Sequence, residues 1–584
     1  EIGVAGGVPT AVAEHDAVAD GILISSLLTA ALVGGVLLIH LRGVRLLVIV
    51  TVQIVAATIV SFGIAAIAVG HLNSATAFLG AIIAGNGVNY GILLIARYIE
   101  ERKHHEVDDA LAIAIRGTLR PTAVASLGAS IAYGSLAATS FKGFADFAVI
   151  GAVGMILCWI ASYLLLPALV LRWGRHTRRV TGDPVVGSVL VRVLGFRRAK
   201  PVIVVASVMA IGAAALVAAY IKADPFEYDI TRLRSEGRDA IDARDWMHTS
   251  DMTFGRGYSG RTYIAADRPA QVPLIVDALR AHDKGKKPEE QTFGSIDSIL
   301  DAVPDHQDEK LVVLGQIRKL IDDPSLAALT DEERKELAEL RPPDDLAKIT
   351  PESLPPAVRE KLTEKDRSKI GLLISIRPAN RLDEWNGHDL IRFANAVRRI
   401  ELADDETITT SGPSVIFADI VGSIAKDGPR VTLIAAFGLC VMVLLVVGRN
   451  RAAAAVLCAT ASGALLMVAA CALLDLKVNF LDFVALPITL GIGVDYAINV
   501  AHRHAQEVGA SDPLVTLRTS GAAVLICSLT TIIGYGSLLV SENLAIRGFG
   551  TASLVGEISC VLTALVLVPA ILALQRRLPS APQR

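Results

Sequence analysis

Stretches of apolar residues about as long as a lipid bilayer is thick recur along this chain. A helix needs roughly 20 such residues to cross the hydrocarbon core. Runs of that length lie near 21–40, 44–69, 75–96, 121–140, 144–171, 201–221, 430–447, 452–474, 480–501, 519–540 and 549–574. Hydrophobic residues make up 52% of the chain but aromatic residues only 5%, as is typical of lipid-embedded helices. The pattern predicts a polytopic α-helical membrane protein with eleven helices.

Basic residues are concentrated in alternate short loops. One set of loops includes 42–45, 97–120, 172–200, 449–451, 503–518 and 576–577, whereas the opposite set holds little beyond Lys142, Lys477 and Arg547. Short loops rich in Lys and Arg stay on the cytoplasmic side. We therefore expect a multi-pass protein of the cell inner (plasma) membrane, with a large periplasmic domain at 222–429 and a cytoplasmic tail at 576–584.

The chain contains an internal repeat. Residues 85–101 (GNGVNYGILLIARYIEE) align without gaps with 491–507 (GIGVDYAINVAHRHAQE), and 125–136 (ASLGASIAYGSL) align with 527–538 (CSLTTIIGYGSL). Pro167 also matches Pro569 near the ends of the last helices. Ordered matches of polar and Gly residues are rare between unrelated apolar helices, so we infer two related helical halves.

The repeat also predicts the domain order. The motif GGVPT (6–10) precedes the first predicted helix and matches SGPSV (411–415), which precedes the helix at 430. By symmetry, we expect the first half to lack its first helix and most of a first periplasmic domain. The predicted order is the end of that domain (1–20), five helices (21–172), a cytoplasmic linker (173–200), one helix (201–221), a periplasmic domain (222–429) and five helices (430–575).

The long polar region has the sequence pattern of an α/β domain. Residues 261–266 (RTYIAA) and 370–378 (IGLLISIRP) resemble strands, and each leads into an amphipathic helix, at 271–282 and 388–401. Between them lie an amphipathic segment (309–323) and a charged connection (329–356) that opens with a capping box, TDEE. We expect two βαβ-like units with an inserted helical arm.

Asp495 is a carboxylate inside an apolar run, and this position makes it the main functional candidate. A charge in the middle of a membrane helix costs on the order of 3 kcal/mol. Tyr496 adjoins it, and Asn499 and His502 follow on the same helical face. The functional interpretation is a group that loads and releases a proton. The alternative is a structural hydrogen bond or buried ion pair, although the sequence shows no complementary intramembrane Lys or Arg.

The equivalent position in the first half is Asn89, followed by Tyr90. Because Asn does not titrate, Asn89 is expected either to make an interhelical hydrogen bond or to orient Asp495 across the interface between the halves. The repeated glycines would let the two duplicated helices approach closely; they are Gly85, Gly87, Gly491 and Gly493. A phosphate-binding loop is excluded because these glycines lie within membrane spans.

Further polar residues could extend a proton relay. Ser528, Thr530 and Thr531 could pass a proton onward, or their hydroxyls could bond the backbone of their own helix. Glu557, inside the last apolar run, is either a second titrating site or faces an aqueous vestibule. We find no nucleophile motif, metal cluster or nucleotide-binding loop. We therefore expect no enzyme activity, cofactor, metal or nucleic-acid partner.

These features together resemble the resistance-nodulation-division (RND) superfamily, in particular its MmpL-like branch near the HpnN type of hopanoid exporters. The resemblance rests on GIGVDY (491–496), its duplicate GNGVNY (85–90), and the doubled six-helix plan. It implies proton-driven exporters with twelve helices, periplasmic porter-like domains and lipid cargo, and it places the proton relay at Asp495 and Tyr496. Asn89 departs from the commoner pattern of an Asp in both halves, which implies a single essential carboxylate.

The resulting expectation is export of lipids or other hydrophobic molecules, driven by the proton-motive force, across or out of the inner membrane. The expected partners are a hydrophobic or lipid substrate, protons and membrane lipids, with a homodimer or homotrimer left open. Two alternatives are a non-transporting lipid- or sterol-sensing protein and a SecDF-like accessory of protein translocation.

Overall fold

The computed structural model describes residues 3–41, 43–73, 76, 79–173, 185–196, 198–254, 262–366, 369–379, 381–383, 385–402, 405–410, 412–506, 517 and 521–574. The chain divides into two compact units. The mixed unit contains Gly3–Gly7 and Trp246–Asp419, and the helical unit contains Val8–Asp245 and Ile420–Arg584.

The part of the chain before residue 223 is helical. Its helices are α1 (Gly7–Leu41), α2 (Val44–Ala68), α3 (Leu79–Glu101), α4 (Val107–Gly134), α5 (Lys142–Trp173), α6 (Val185–Leu194) and α7 (Ala199–Lys222).

The mixed unit combines short strands with helices. Its strands are β1 (Thr262–Ala265), β2 (Phe293–Asp297), β3 (Leu373–Pro378), β4 (Arg399–Glu401) and β5 (Thr407–Thr409). The helices from residue 238 to 398 are α8 (Arg238–Phe254), α9 (Gln271–Asp283), α10 (Gln307–Ile321), α11 (Asp331–Glu339), α12 (Pro356–Arg359) and α13 (Gly387–Arg398). The capping box at Thr330 and Glu333 is confirmed.

The strand pairing differs from two βαβ-like units. Strand β3 pairs antiparallel with both β1 and β2, so β1 and β2 run parallel on either side of it. The segment from β1 through α9 to β2 is therefore a βαβ unit split by a central strand. After α13 the chain enters β4, which pairs with β5 in a separate sheet. The expected second unit is thus not formed within the described residues, because its strand joins a hairpin instead.

From Ile420 onward the last five helices belong to the helical unit. They are α14 (Pro413–Val446), α15 (Arg451–Leu473), α16 (Ala485–Gln506), α17 (Ala522–Ser537) and α18 (Leu544–Ala573). A single 3-10 turn, Asp482–Val484, leads directly into α16.

Helices α1 and α14 begin well before their apolar runs. The motifs GGVPT and SGPSV were expected to precede helices starting at 21 and 430, but they open helices that start at Gly7 and Pro413. In α14 the extension is amphipathic: Val415, Ala418 and Val421 recur every third residue and are buried. A buried stripe of this kind stabilises a helix outside the hydrocarbon, and it was not visible in the apolar-run pattern.

Ten helical stretches of the described residues are long and apolar enough to cross a membrane. The sequence predicted eleven, and the difference is the run at 121–140. That run forms only the end of α4, which starts at Val107 and stops at Gly134, before a 3-10 turn at Ser135–Ala138. Polar residues along α4, including Arg120, Thr122 and Ser126, make this helix less apolar than the others.

The duplicated helices pack in a reciprocal pattern. Helix α3 contacts α17, and α16 contacts α4, so each member of one repeated pair meets a member of the other. Helix α5 packs on α2, α3 and α4, while α18 packs on α15, α16 and α17. The two segments that repeat in sequence therefore meet at the centre of the helical unit.

Candidate functional site

Helix α16 is enclosed on several sides by α4, α15 and α18. Even Asp495, the carboxylate of this helix, exposes only 7% of its surface. Oδ1 of Asp495 accepts a hydrogen bond of 2.6 Å from Nδ2 of Asn499, one turn later. The same nitrogen donates to the backbone oxygen of Asp495 at 2.9 Å. Asn499 therefore holds this carboxylate in one orientation.

A second buried carboxylate lies within electrostatic range of the first. The hydroxyl of Tyr496 donates a hydrogen bond of 2.5 Å to Oε1 of Glu557 on α18. Glu557 is 1% exposed, so it faces the protein interior and not an aqueous vestibule. Asp495 and Glu557 are close enough for their charges to interact. The site thus contains two buried carboxylates from different helices, with a tyrosine bonded to one and adjacent in sequence to the other.

The three hydroxyl groups of α17 that could carry protons differ in their hydrogen-bond partners. Ser528 is fully buried and adjoins Glu557. Thr530 and Thr531 both donate to the carbonyl oxygen of Cys527, at 2.7 and 3.1 Å, and therefore satisfy their own helix backbone. Of these three hydroxyls, Ser528 is the one placed to exchange a proton with Glu557.

Asn89 contacts α17, and no hydrogen bond joins it to Asp495 in the described part of the chain. Its Oδ1 lies 3.4 Å from the Thr530 hydroxyl. Its neighbour Tyr90, which is completely buried, lies near both Asp495 and Ser126. In the first half it is therefore Tyr90, and not Asn89, that reaches the carboxylate of the second half.

Three of the four repeated glycines lie where another helix approaches closely. A Cβ on Gly491 would lie 2.7 Å from Cβ of Ala132 on α4, and one on Gly493 would lie 3.1 Å from Sγ of Cys560 on α18. These contacts correct the expectation that the glycines bring α3 and α16 against each other. The reciprocal packing places α4, α5, α17 and α18 around these two helices, so the glycines serve those contacts.

The other pair of glycines behaves in two different ways. A Cβ on Gly87 would collide with Sγ of Cys158 on α5, which mirrors the contact between Gly493 and Cys560. A Cβ on Gly85 would meet no atom within 4 Å. Close helix approach therefore does not account for Gly85.

A tyrosine pair was missed in the sequence analysis. Nδ2 of Asn86 donates to the hydroxyl of Tyr133 at 3.1 Å and to that of Tyr535 at 3.4 Å. The two tyrosines occupy matching positions in the second repeated segment, and this match was a signal that could have identified them. Asn86 therefore joins the two halves through side chains that the repeat duplicates.

The carboxylate site belongs to the second half alone. The repeat extends to FAVIGAVGMILC (147–158) and FGTASLVGEISC (549–560), in which Met155 matches Glu557. Asn89 matches Asp495, and Leu93 matches Asn499. The first half therefore lacks both carboxylates and the amide that orients one of them. In the described residues, no group of three His, Cys, Asp or Glu side chains could hold a metal ion.

Comparison with known proteins places this architecture in a family. The model of the MMPL family matches residues 1–219 and 286–584. The chain belongs to the MMPL family. With ten helices able to cross a membrane, this MMPL protein is a multi-pass membrane protein.

Two relatives of this MMPL protein align over nearly all of its length. The hopanoid transporter HpnN of Rhodopseudomonas palustris is 22% identical, covering 98% of this chain and 70% of that protein. The hopanoid transporter HpnN of Burkholderia multivorans is 24% identical, covering 97% and 68%. Both relatives are named as transporters and neither as an enzyme, in agreement with the expectation that this chain is not an enzyme.

Among solved structures, the chain is similar to SecDF, a translocon-associated membrane protein from Thermus thermophilus. The TM-score is 0.54 at 15% identity, and the alignment covers 96% of this chain. The chain spans 62% of the length of SecDF. At this identity the similarity shows a shared fold.

Proposed function

We propose that this protein uses the proton gradient to export a lipid or another hydrophobic molecule across or out of the inner membrane. The observation that carries the proposal is the buried pair of carboxylates, Asp495 and Glu557, with Tyr496 bonded to Glu557. The proton relay consists of these three residues with Ser528 beside them and Tyr90 facing them from the first half. The relay is held in place by neighbouring polar residues at the helix interfaces, namely Asn89, Thr530 and Thr531.

The chemistry of the pair favours proton exchange. Two neighbouring carboxylates in a site of low dielectric cannot both ionise cheaply. Among the described residues, neither of them forms an ion pair with Lys or Arg. The site therefore changes charge when a proton arrives or leaves. Such a charge change is the event that a proton-driven transporter needs.

The reciprocal packing supplies a way to couple that charge to movement. The neutral pair is compatible with the tightly packed interfaces between α16, α4 and α18, whereas the ionised pair favours an arrangement that admits water. Proton binding from outside and release inside would shift the population between two such arrangements. Only one half carries the carboxylates, so the coupling is asymmetric.

The cargo class follows from the two relatives that cover nearly the whole chain, both of which are named as hopanoid transporters. A rigid polycyclic lipid is therefore the first cargo to test. The concentration of Lys and Arg in alternate loops supports an orientation in the inner membrane that places residues 222–429 in the periplasm. The same proposal includes two related helical halves and assembly as a homodimer or homotrimer.

The proposal is tested by replacing Asp495 with Asn in the full chain, reconstituted in vesicles. We expect proton uptake under an imposed gradient, and transfer of a purified hopanoid between vesicles, to fall to background with protein insertion unchanged. Asp427→Asn is the matched control, because Asp427 is also buried, at 2% exposure, but its carboxylate bonds the backbone and hydroxyl of Ser140 and no residue of the pair.

The alternatives predict other results. A lipid sensor would show no proton uptake even in the unaltered protein. A translocation accessory would also take up protons. In that case Asp495→Asn would impair the export of secreted proteins and not the transfer of hopanoid. Undiminished uptake and hopanoid transfer in Asp495→Asn would overturn the proposed function.

A further inference from the structure

Asp482 is a carboxylate at the start of α16 that no part of the mechanism above uses. It lies in the 3-10 turn Asp482–Val484 and is partly exposed as a residue. Its Oδ1 atom, however, is shielded from solvent and has no hydrogen-bond partner among the described residues. A Cβ on Gly548 of α18 would lie 3.0 Å from Oδ1, so the carboxylate points at a glycine of the helix that also carries Glu557.

A structural role leaves one oxygen of this side chain, Oδ1, without a partner among the described residues. The turn is already capped by Asn479, whose Oδ1 accepts from the amides of Leu481 at 2.7 Å and Asp482 at 3.1 Å. The other oxygen of Asp482 accepts a long bond, 3.4 Å, from the Asn479 amide, and the carboxylate also interacts with the Asn479 side chain. A buried acceptor without a partner costs about 1–3 kcal/mol, and water molecules normally satisfy such an atom.

Polar groups continue from Asp482 into the helical unit along the interface of α16 with α18. Thr489 and Tyr496 follow Asp482 at intervals of seven residues, two turns of a helix, and so lie on one face of α16. The hydroxyl of Thr489 lies against Gly556 of α18, and Tyr496 bonds the adjacent Glu557. This face therefore connects the end of α16 with the carboxylate pair.

A second intermediate group lies on α18. Ser553 is 3% exposed, and its hydroxyl has no hydrogen-bond partner among the described residues. It precedes Glu557 by four residues, about 6 Å along the same helical face, and follows Gly548 by about 7.5 Å. Each interval suits one or two water molecules at ordinary hydrogen-bond distances.

The first half has no counterpart to this series. Thr76 matches Asp482, and its hydroxyl both donates to the carbonyl of Asn73 at 3.0 Å and accepts from the amide of Asn73 at 2.8 Å. In the first half, a neutral residue therefore satisfies the hydrogen bonds of this turn. Gly151 matches Ser553 and Met155 matches Glu557. Three polar groups with a buried unpartnered oxygen among the described residues, Asp482, Ser553 and Glu557, therefore replace a hydrogen-bonded Thr, a Gly and a Met.

We infer that Asp482 takes up protons from outside and that waters held by Ser553 conduct them between α16 and α18 to Glu557. The inference rests on the proposed function, which supplies the gradient. A hydronium ion gives its proton to a carboxylate oxygen of Asp482. Each later transfer breaks one O–H bond and forms the next along the waters. The proton finally resides on a carboxylate oxygen of Glu557, and Asp482 is left ionised for the next one.

The test measures the initial rate of proton uptake by the full chain in vesicles, with the acid step applied on the side of residues 222–429. We expect Asp482→Asn to slow uptake by at least about tenfold and Ser553→Ala to slow it to a smaller extent. Asp475→Asn is the control, since Asp475 is an exposed carboxylate of the same loop with a positive φ that Asn also adopts.

Infrared difference spectra of the carboxylic acid C=O stretch distinguish protonation of Asp482 from a purely structural role, because a structural role would leave these spectra unchanged. The protonation band should lose one component in Asp482→Asn, while thermal unfolding stays close to that of the unaltered protein. Should Asp482→Asn not fold, Ser553→Ala carries the test through its uptake rate.

The outcomes separate this path from the function on which it rests. Unchanged uptake in Asp482→Asn and Ser553→Ala, together with loss of uptake in Asp495→Asn, would overturn the path and leave the function standing. Unchanged uptake in Asp495→Asn would remove both.

Discussion

The hydroxyl of Tyr496 and Oε1 of Glu557 lie 2.5 Å apart, although 61 residues separate them in the chain. A contact of this length between a hydroxyl and a carboxyl oxygen is a short, strong hydrogen bond. The bond ties α16 to α18 at the level of Asp495. Any change in the protonation of Glu557 therefore acts directly on the helix that carries the other carboxylate.

Removing this donor should impair the site. In Tyr496→Phe, Oε1 of Glu557 loses its partner, which costs about 1–3 kcal/mol of stability and disorders the carboxylate. We expect slower proton uptake and a lower unfolding temperature in detergent. Tyr98→Phe is the control, because the hydroxyl of Tyr98 is buried without a partner among the described residues. Equal effects of the two substitutions would contradict the assignment.

Replacing Glu557 with Gln separates hydrogen bonding from titration. The Gln side chain retains an oxygen that can accept from Tyr496, so we expect the unfolding temperature to change little. Proton-driven transport should nevertheless fall by about a hundredfold, within the range of general acid–base contributions. The measurement is the initial uptake rate together with the number of protons per hopanoid transferred. A normal rate with the normal stoichiometry would show that Asp495 alone handles the proton.

Two matching glycines should respond to the same substitution in opposite directions. In Gly491→Ala the new Cβ would lie 2.7 Å from Cβ of Ala132, and overpacking of this kind costs about 1–3 kcal/mol. In Gly85→Ala the Cβ meets nothing within 4 Å, and alanine favours the helix by roughly 0.5–1 kcal/mol. In the same detergent, the unfolding temperature of Gly491→Ala should therefore be lower than that of the unaltered protein, and the unfolding temperature of Gly85→Ala should be higher. Similar shifts for both would refute the packing argument.

In the mixed unit, Asp283 gives a pH dependence that can be checked independently. Burial alone would raise the pKa of Asp283, but the amides of Phe293 and Thr292 and the ammonium of Lys286 outweigh it and lower the pKa below its usual range. A depressed pKa in the folded state stabilises the fold above the unfolded pKa, and the stabilisation is lost as the pH falls through the folded pKa.

Hydrogen exchange at the amides of Thr292 and Phe293 measures this effect. Protection should be constant down to about pH 4 and should then decline. Asp283→Asn should abolish the dependence, because its side chain does not ionise, while the exposed Asp277→Asn should leave it intact. Protection that stayed constant to pH 2 in the unaltered protein would contradict the assignment.

The sequence was informative about the helices and less so about their contacts. The positions of Asp495 and Glu557 inside apolar runs identified both residues, since buried charge stands out against an aliphatic background. The bond between Glu557 and Tyr496 was out of reach, because it depends on how α16 and α18 are rotated. For the same reason, the sequence predicted that Asn89 makes an interhelical hydrogen bond but did not identify Thr530 as its partner.

Asp482 and Ser553 illustrate a second limit. In the sequence Asp482 resembles an ordinary helix-capping residue and Ser553 resembles one of many small residues in a membrane helix. Only the structure shows that Asn479 already caps the turn and that each side chain has a buried oxygen without a partner in the part of the chain that is described. The β4–β5 hairpin was missed because three-residue strands carry too little periodicity to be recognised.

The reciprocal packing of α3 with α17 also imposes an order on biosynthesis. Asn89 meets Thr530 across 441 residues of chain, which a ribosome needs roughly 20–90 s to add. During that interval Asn89 lacks its contact with Thr530, and Asn86 has only Tyr133 of the two tyrosines that it bonds. Chaperones of membrane insertion or the translocation channel itself would have to shelter the early helices until the late ones emerge, so nascent chains stalled before residue 522 should be the form most exposed to membrane quality control.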